Sequence, residues 1–152
     1  MRLYPALPAG ASGHSGGRVM KWVVLVARVL VGGMFVFSSV AWALNLMSPQ
    51  EPPTPQAGSY LGALVGKPEG SPLYMQVVKA CEFVGGLLVL SGRFTPVGLV
   101  LVTPVAVNIA LFELALAGGK PGPGVILTLL AAFLVWAYRR VFAPVFAPQP
   151  VV

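Results

Sequence analysis

Four charged side chains lie inside long apolar stretches of this 152-residue chain: Arg28, Lys79, Glu82 and Glu113, with Asn45 and Asn108 as neutral polar company. An ionised group in an apolar medium costs about 2.5 kcal/mol or more, so each needs a partner or a purpose. A carboxylate held in a low-dielectric site can give and take a proton near neutral pH, the chemistry that quinone turnover needs. The opposing reading is structural: paired charges and a central Asn fix register and packing and do nothing else. Cys81, beside the charged face, reads as a small inert hydrophobe rather than a thiol catalyst. A single cysteine excludes an internal disulfide, and a single histidine (His14) excludes a bis-histidine haem or a histidine-rich metal site built by this chain alone. No metal is expected.

The elements that hold these groups follow from composition. Hydrophobic residues make up 57% of the chain and charged residues 9%, whereas soluble domains carry roughly 25% charged residues to solvate their surface. Such a chain needs lipid as its solvent. The net charge of +6 at pH 7 does not point to nucleic acid. Its basic residues sit singly or in pairs at the ends of apolar runs, not on one phosphate-neutralising face.

Residues 1–18 are Gly-, Pro- and small-residue-rich without periodicity and are expected to be a disordered tail. Met20, followed by Lys21-Trp22 and an apolar run, looks like an alternative start of translation. Four spans are expected, at about 19–47, 72–91, 95–117 and 124–142, within a domain reaching residue 144 and followed by a tail over 145–152. For the first, Ala41-Trp42-Ala43 leaves open a cleaved signal peptide, although the length of the run and Arg28 inside it weigh against cleavage. Ser71-Pro72 and Thr95-Pro96 each place a capping hydroxyl before a proline at a helix start. Gly118-Gly119 is a stop, and Pro144 prevents continuation of the last span. In the segment 48–71, Pro49, Pro52, Pro53 and Pro55 are expected to block any helix. Its apolar piece SYLGALVG (59–66) is too short to span and should lie at the interface or fold over the helix ends.

Arg2, Arg18, Lys21, Arg93, Arg139 and Arg140 flank one side of these spans, and only Lys67 and Lys120 the other. The side with six is expected to be cytoplasmic, with both termini there, a count that would also suit three spans after cleavage. Trp22 and the stretch Trp136 to Tyr138 read as interface anchors. Depth at about 1.5 Å per residue puts Arg28 and Glu82 near one level and predicts an ion pair between them. The same arithmetic pairs Lys79 with Glu113 nearer the outer end, where Asn45 also falls. Arg28, Gly32, Phe35, Ser39 and Trp42 share one face of the first helix, and Lys79, Glu82 and Gly86 one face of the second. Gly32, Gly85 and Gly86 should let helices approach closely. Pro104 frees the Val100 carbonyl, one turn from Asn108.

The sequence resembles the DoxX-like family of small bacterial membrane proteins. The resemblance covers about residues 20–144 and rests on MKWVVLVARVLVGGMFVFSSVAWALN, the SYLGAL segment, KACEFVGGLLVLSGRFTPVGLVLVTPVAVNIALFEL and the closing WAYRRVFAP. It implies an all-α, integral membrane four-helix bundle in the bacterial cytoplasmic membrane, with short loops and a longer first extracytoplasmic loop. Arg28, Glu82, Gly86, Arg93, Pro104 and Asn108 match recurrent family positions, whereas relatives of this subtype carry His where this chain has Glu113. Some members are linked to thiosulfate:quinone oxidoreductases and others to membrane oxidoreductase complexes that handle thiol and radical stress. The expectation is therefore a small membrane subunit of a redox assembly, with Arg28, Glu82 and Asn108 lining a site for a quinone or for proton movement. The alternative is a non-catalytic accessory subunit packed against a larger membrane complex. No complete catalytic constellation is present, so the chain is not expected to be an enzyme on its own. A transporter is disfavoured by the lack of an inverted repeat or a broken helix pair.

Overall fold

The computed structural model describes residues 14–46, 51–65 and 73–143, the first four of these by backbone only. Among the described residues every regular element is helical: α1 (His14–Ala43), α2 (Pro55–Val65), α3 (Leu73–Ser91), α4 (Thr95–Leu111), a π-helical turn (Phe112–Leu116), α5 (Pro123–Ala137) and the short α6 (Arg139–Phe142). Three stretches are long and apolar enough to cross a membrane: Arg18–Ala43 in α1, Leu73–Ser91, and Thr95–Leu116, in which α4 continues through the π turn. This fits a multi-pass membrane protein. Helix α5 is equally apolar but has 15 residues, about 22 Å at 1.5 Å per residue, against a hydrocarbon core of roughly 30 Å.

Small residues set how the helices meet. Helix α1 packs on α3 and α5, α3 on α4, and α4 on α5. A Cβ at Gly32 would stand 2.8 Å from the Gly86 carbonyl oxygen, and one at Gly86 would stand 2.9 Å from that of Gly32, so α1 and α3 touch backbone to backbone. A Cβ at Gly98 of α4 would come within 2.6 Å of the Gly85 oxygen. Backbone contact of this kind is what helices use where no aqueous driving force presses them together. Val31, Phe35, Val89, Leu99, Val102 and Leu134 fill the space between the four long helices. Outward faces stay greasy: Val26, Phe37, Val100 and Leu129 are exposed, where a helix facing water would carry polar groups.

Several expected boundaries shift, each for a local reason. Helix α1 begins at His14, inside the stretch expected to be a tail, while residues 1–13 lie outside the described residues. It ends at Ala43 rather than near Met47, because Asn45 adopts φ +53° and the Leu46 amide donates to the Ala41 carbonyl at 2.9 Å, the bond of a left-handed helix stop. The prolines before α2 do not prevent a helix. Pro55 is its first residue, where no amide bond is lost, and the Thr54 hydroxyl accepts the Ala57 amide at 3.1 Å as N-cap. Thr54 also donates to the Leu116 carbonyl, fastening α2 beside the π turn. Thr95 is not a cap: it is the first residue of α4, and its hydroxyl bonds to the carbonyls of Val89 and Gly92. The expected caps at Ser71-Pro72 and the stop at Pro144 fall outside the described residues. Gly118 and Gly119 do end the third span, at φ +93° and +75°. The fourth helix breaks at Tyr138 instead of running to Phe142. There the Arg139 guanidinium donates to the Trp136 carbonyl at 3.1 Å, taking an acceptor that a continuing helix would use.

Candidate functional site

Helix α3 presents its two charges one turn apart on the face turned to α1. The Lys79 Nζ lies 2.7 Å from Glu82 Oε2 and donates at 2.8 Å to the Ser38 hydroxyl of α1. Ser39 donates to the Phe35 carbonyl at 2.9 Å and to Glu82 Oε2 at 3.4 Å. The Glu82 side chain is 3% exposed and that of Lys79 17%, so the carboxylate sits behind and the ammonium in front. An isolated charge there would be expensive, and the pair with its hydroxyls removes most of that cost.

Arg28 does not reach Glu82. Its Nε donates to the Val89 carbonyl at 3.1 Å and one terminal nitrogen to the Leu90 carbonyl at 2.9 Å, at the C-terminal end of α3. Those carbonyls lie at the negative end of the helix dipole, which makes them good ligands for a guanidinium fork, and the Val89 carbonyl also accepts the Gly92 amide at 3.4 Å. Gly92, at φ +77°, turns the chain away there, and a Cβ on it would collide with the guanidinium. Lys79 and Glu113 do not meet either. Glu113, in the π turn, accepts the amides of Gly122 at 3.1 Å, Gly124 at 2.8 Å and Val125 at 3.1 Å. It caps the N-terminus of α5, where orphan donors and the positive dipole end favour a carboxylate. A side chain on Gly122 would hit that carboxylate, since its Cβ would lie 2.7 Å from Glu113 Oε1.

Asn108 stands apart from both charges. Its amide exchanges hydrogen bonds with the Tyr60 hydroxyl of α2, at 2.8 Å and 3.0 Å, and the Tyr60 ring stacks on Phe112 with centroids 5.6 Å apart. Residues 59–65 of the short apolar segment thus lie in α2, held to α4 through Tyr60 and Asn108. Arg28, Glu82 and Asn108 therefore occupy three separate places, and the single cluster expected of them does not form. Lys79 and Glu82 are brought together, and Ser38 and Ser39 complete the group. Ser39 lay on the polar face expected for α1, whereas Ser38 carried no signal beyond standing next to it. Cys81 is half-buried.

In front of Lys79, a cavity of about 430 Å³ opens between α1 and α3 toward the end that carries α2. Trp42, Leu44 and Phe83 form its greasy walls, and Lys79, Ser39 and Gln76 border it while the surface it presents stays almost wholly apolar. Volumes of roughly 300–1,000 Å³ with few polar groups among apolar walls are typical of small-molecule sites. An ammonium has three N–H donors, of which Ser38 and Glu82 engage two. This arrangement can hold a lipophilic molecule with one strong hydrogen-bond acceptor. Comparison with protein-family models, with curated proteins and with solved structures found no match to this chain.

Proposed function

We propose that the chain is a DoxX-like, four-span protein of the bacterial cytoplasmic membrane, serving as a small subunit of a quinone-linked redox assembly. The observation that carries this reading is the Lys79–Glu82 pair at the back of an apolar cavity. A quinone carbonyl accepts a hydrogen bond from the Lys79 ammonium, its ring lies against Trp42 and Phe83, and its tail leaves along the helix faces into lipid. Glu82 pairs with Lys79 from behind and aims its ammonium at the carbonyl. The site thus needs neither Arg28 nor Asn108. Orientation with both termini in the cytoplasm accords with the basic residues at one end of the bundle: Arg18, Lys21, Arg93, Arg139 and Arg140.

The accessory reading has one observation in its favour. Arg28, Lys79, Glu82 and Glu113 are each satisfied within the chain, as charges that merely lock a bundle would be. One experiment separates the two. The protein is purified from native membranes in mild detergent, its partners identified, and its bound lipids extracted and weighed by mass spectrometry. A quinone that co-purifies with the wild type and is lost in Lys79→Met supports the redox reading. A partner complex without quinone, turning over normally with both Lys79→Met and Glu82→Gln, overturns it in favour of the accessory role.

A further inference from the structure

Two neighbouring cavities are lined by α1 together with α5 and the residues just after it, along the α1–α5 seam toward the end of the bundle where the basic residues gather. One, of about 370 Å³, is lined by Met20, Val24, Trp136, Ala137, Arg139 and Arg140. The other, of about 410 Å³, is a wholly apolar groove running from Trp22 and Val23 to Leu30 on α1 and along Leu130 and Phe133 on α5. Phe133 lines the groove and Trp136 the mouth, and their rings, one turn apart on α5, stack with centroids 6.1 Å apart. We propose that this seam binds an anionic glycerophospholipid, its phosphate on Arg139 and Arg140 and an acyl chain in the groove.

Charge and shape agree on that occupant. The chain's acids are Glu51, Glu69, Glu82 and Glu113, none of them in the stretches 14–28, 88–96 and 134–143 that form this end. Among the described residues, therefore, no side-chain carboxylate at this end competes for the two guanidinium groups. The break at Tyr138 creates the mouth, because it takes Arg139 and Arg140 off the α5 axis and into the lining. Arg139 is held in place by its bond to the Trp136 carbonyl and by stacking 4.5 Å over the Trp136 ring. Only some of its five donors are spent this way, and a planar fork of this kind matches phosphate oxygens. Basic pockets between helices at the inner surface of a membrane are suited to anionic headgroups. An acyl chain covers the exposed apolar residues Val23, Val26 and Leu30. The proposal requires only that the helices lie in a bilayer and is independent of quinone binding.

The test uses the full chain with Trp42→Phe, so that its remaining tryptophans, Trp22 and Trp136, both line the seam. Quenching of their fluorescence is measured in vesicles containing brominated phosphatidylglycerol or brominated phosphatidylcholine. Each arginine is expected to favour the anionic lipid about fivefold, with the preference fading as salt rises. In the double variant Arg139→Gln/Arg140→Gln the two lipids should quench alike. Val26→Phe, a change at an exposed groove position, should lower the number of phospholipids retained in native mass spectrometry without altering charge. Equal quenching by both lipids in the unsubstituted seam overturns the proposal. So does a preference that survives loss of both arginines, an unchanged lipid count in Val26→Phe, or a lipid-free dimer closed over the seam.

Discussion

Glu82 and Glu113 are both carboxylates set in apolar helix, and the chain neutralises them by different means. Glu113 takes three backbone amides from the first turn of α5. Those donors cannot move unless the helix unwinds, so this carboxylate is a fastener between α4 and α5. Glu82 takes a lysine and a serine hydroxyl, and the lysine also lines a cavity. Side-chain partners can swing toward another acceptor at the cost of a rotamer, which backbone partners cannot. Arg28 belongs with Glu113: it too is bound to the main chain, at the opposite pole of a helix. The contrast shows why charge alone does not mark a site in this bundle. What marks it is a charge whose partner has somewhere else to go.

The largest effect should come from breaking the side-chain pair. Glu82→Leu leaves the Lys79 ammonium without its counter-charge and is expected to cost about 3–5 kcal/mol. Adding Lys79→Met should return stability to within about 1 kcal/mol of the wild type or above it, since replacing a whole buried pair by apolar groups is often neutral. Unfolding in mixed micelles titrated with SDS, followed by circular dichroism, measures both. A double variant as unstable as the single one would show that the two residues are not coupled. Next comes Glu113→Ala, expected to cost about 1–2 kcal/mol as the loss of a charged cap. No substitution at Lys79 should rescue it, and amide exchange should accelerate at Gly122, Gly124 and Val125. Exchange unchanged at those three amides would mean that the carboxylate is not what holds them. Arg28→Met should be milder, about 0.5–1 kcal/mol, because the Val89 carbonyl keeps the Gly92 amide and the Thr95 hydroxyl as donors when the cation is lost. Its signature is fraying of the last turn of α3, while quinone-dependent turnover stays normal if the cavity is the working site.

Helix α3 was legible almost to the residue, expected over 72–91 and described over Leu73–Ser91. The glycine seams were legible too, because Gly32, Gly85 and Gly86 stand inside apolar helices, where a small residue lets a neighbour approach. The partners of Arg28 and Glu113 were not. Depth arithmetic compares side chains with side chains, yet both residues bind helix ends, and an orphan carbonyl or amide is not written as any residue type. Lys79 and Glu82 had the right spacing for a pair, but placing each with a distant charge of matching depth hid the nearer solution. Helix α2 was missed for a related reason. Pro49, Pro52, Pro53 and Pro55 read as breakers, although Pro55 follows a capping threonine, where a proline starts a helix. The cavity in front of Lys79 is a gap left by packing, and no local pattern of residues announces it.

The smallest effect tests whether α2 belongs to the fastened part of the molecule or to the movable part. Among the described residues, Tyr60 and Asn108 are the side chains that bond α2 directly to α4, Tyr60 half-buried and Asn108 exposed. Interhelical hydrogen bonds of this type inside membrane proteins average about 0.6 kcal/mol, because the unfolded chain also finds partners in the membrane. Tyr60→Phe keeps the ring on Phe112 and removes only the hydroxyl, so a loss near that average is expected. Tyr60→Ala should cost more by removing the stacked pair. Thr54, capping α2 while bonded to Leu116, ties the same helix to the π turn that holds Glu113. If α2 is part of the fastener, Thr54→Ala and Glu113→Ala should be non-additive, since both act on one turn. Strict additivity would instead mean that α2 lifts independently of the α4–α5 clamp, and the boundary between fixed and movable parts would have to be redrawn through the π turn.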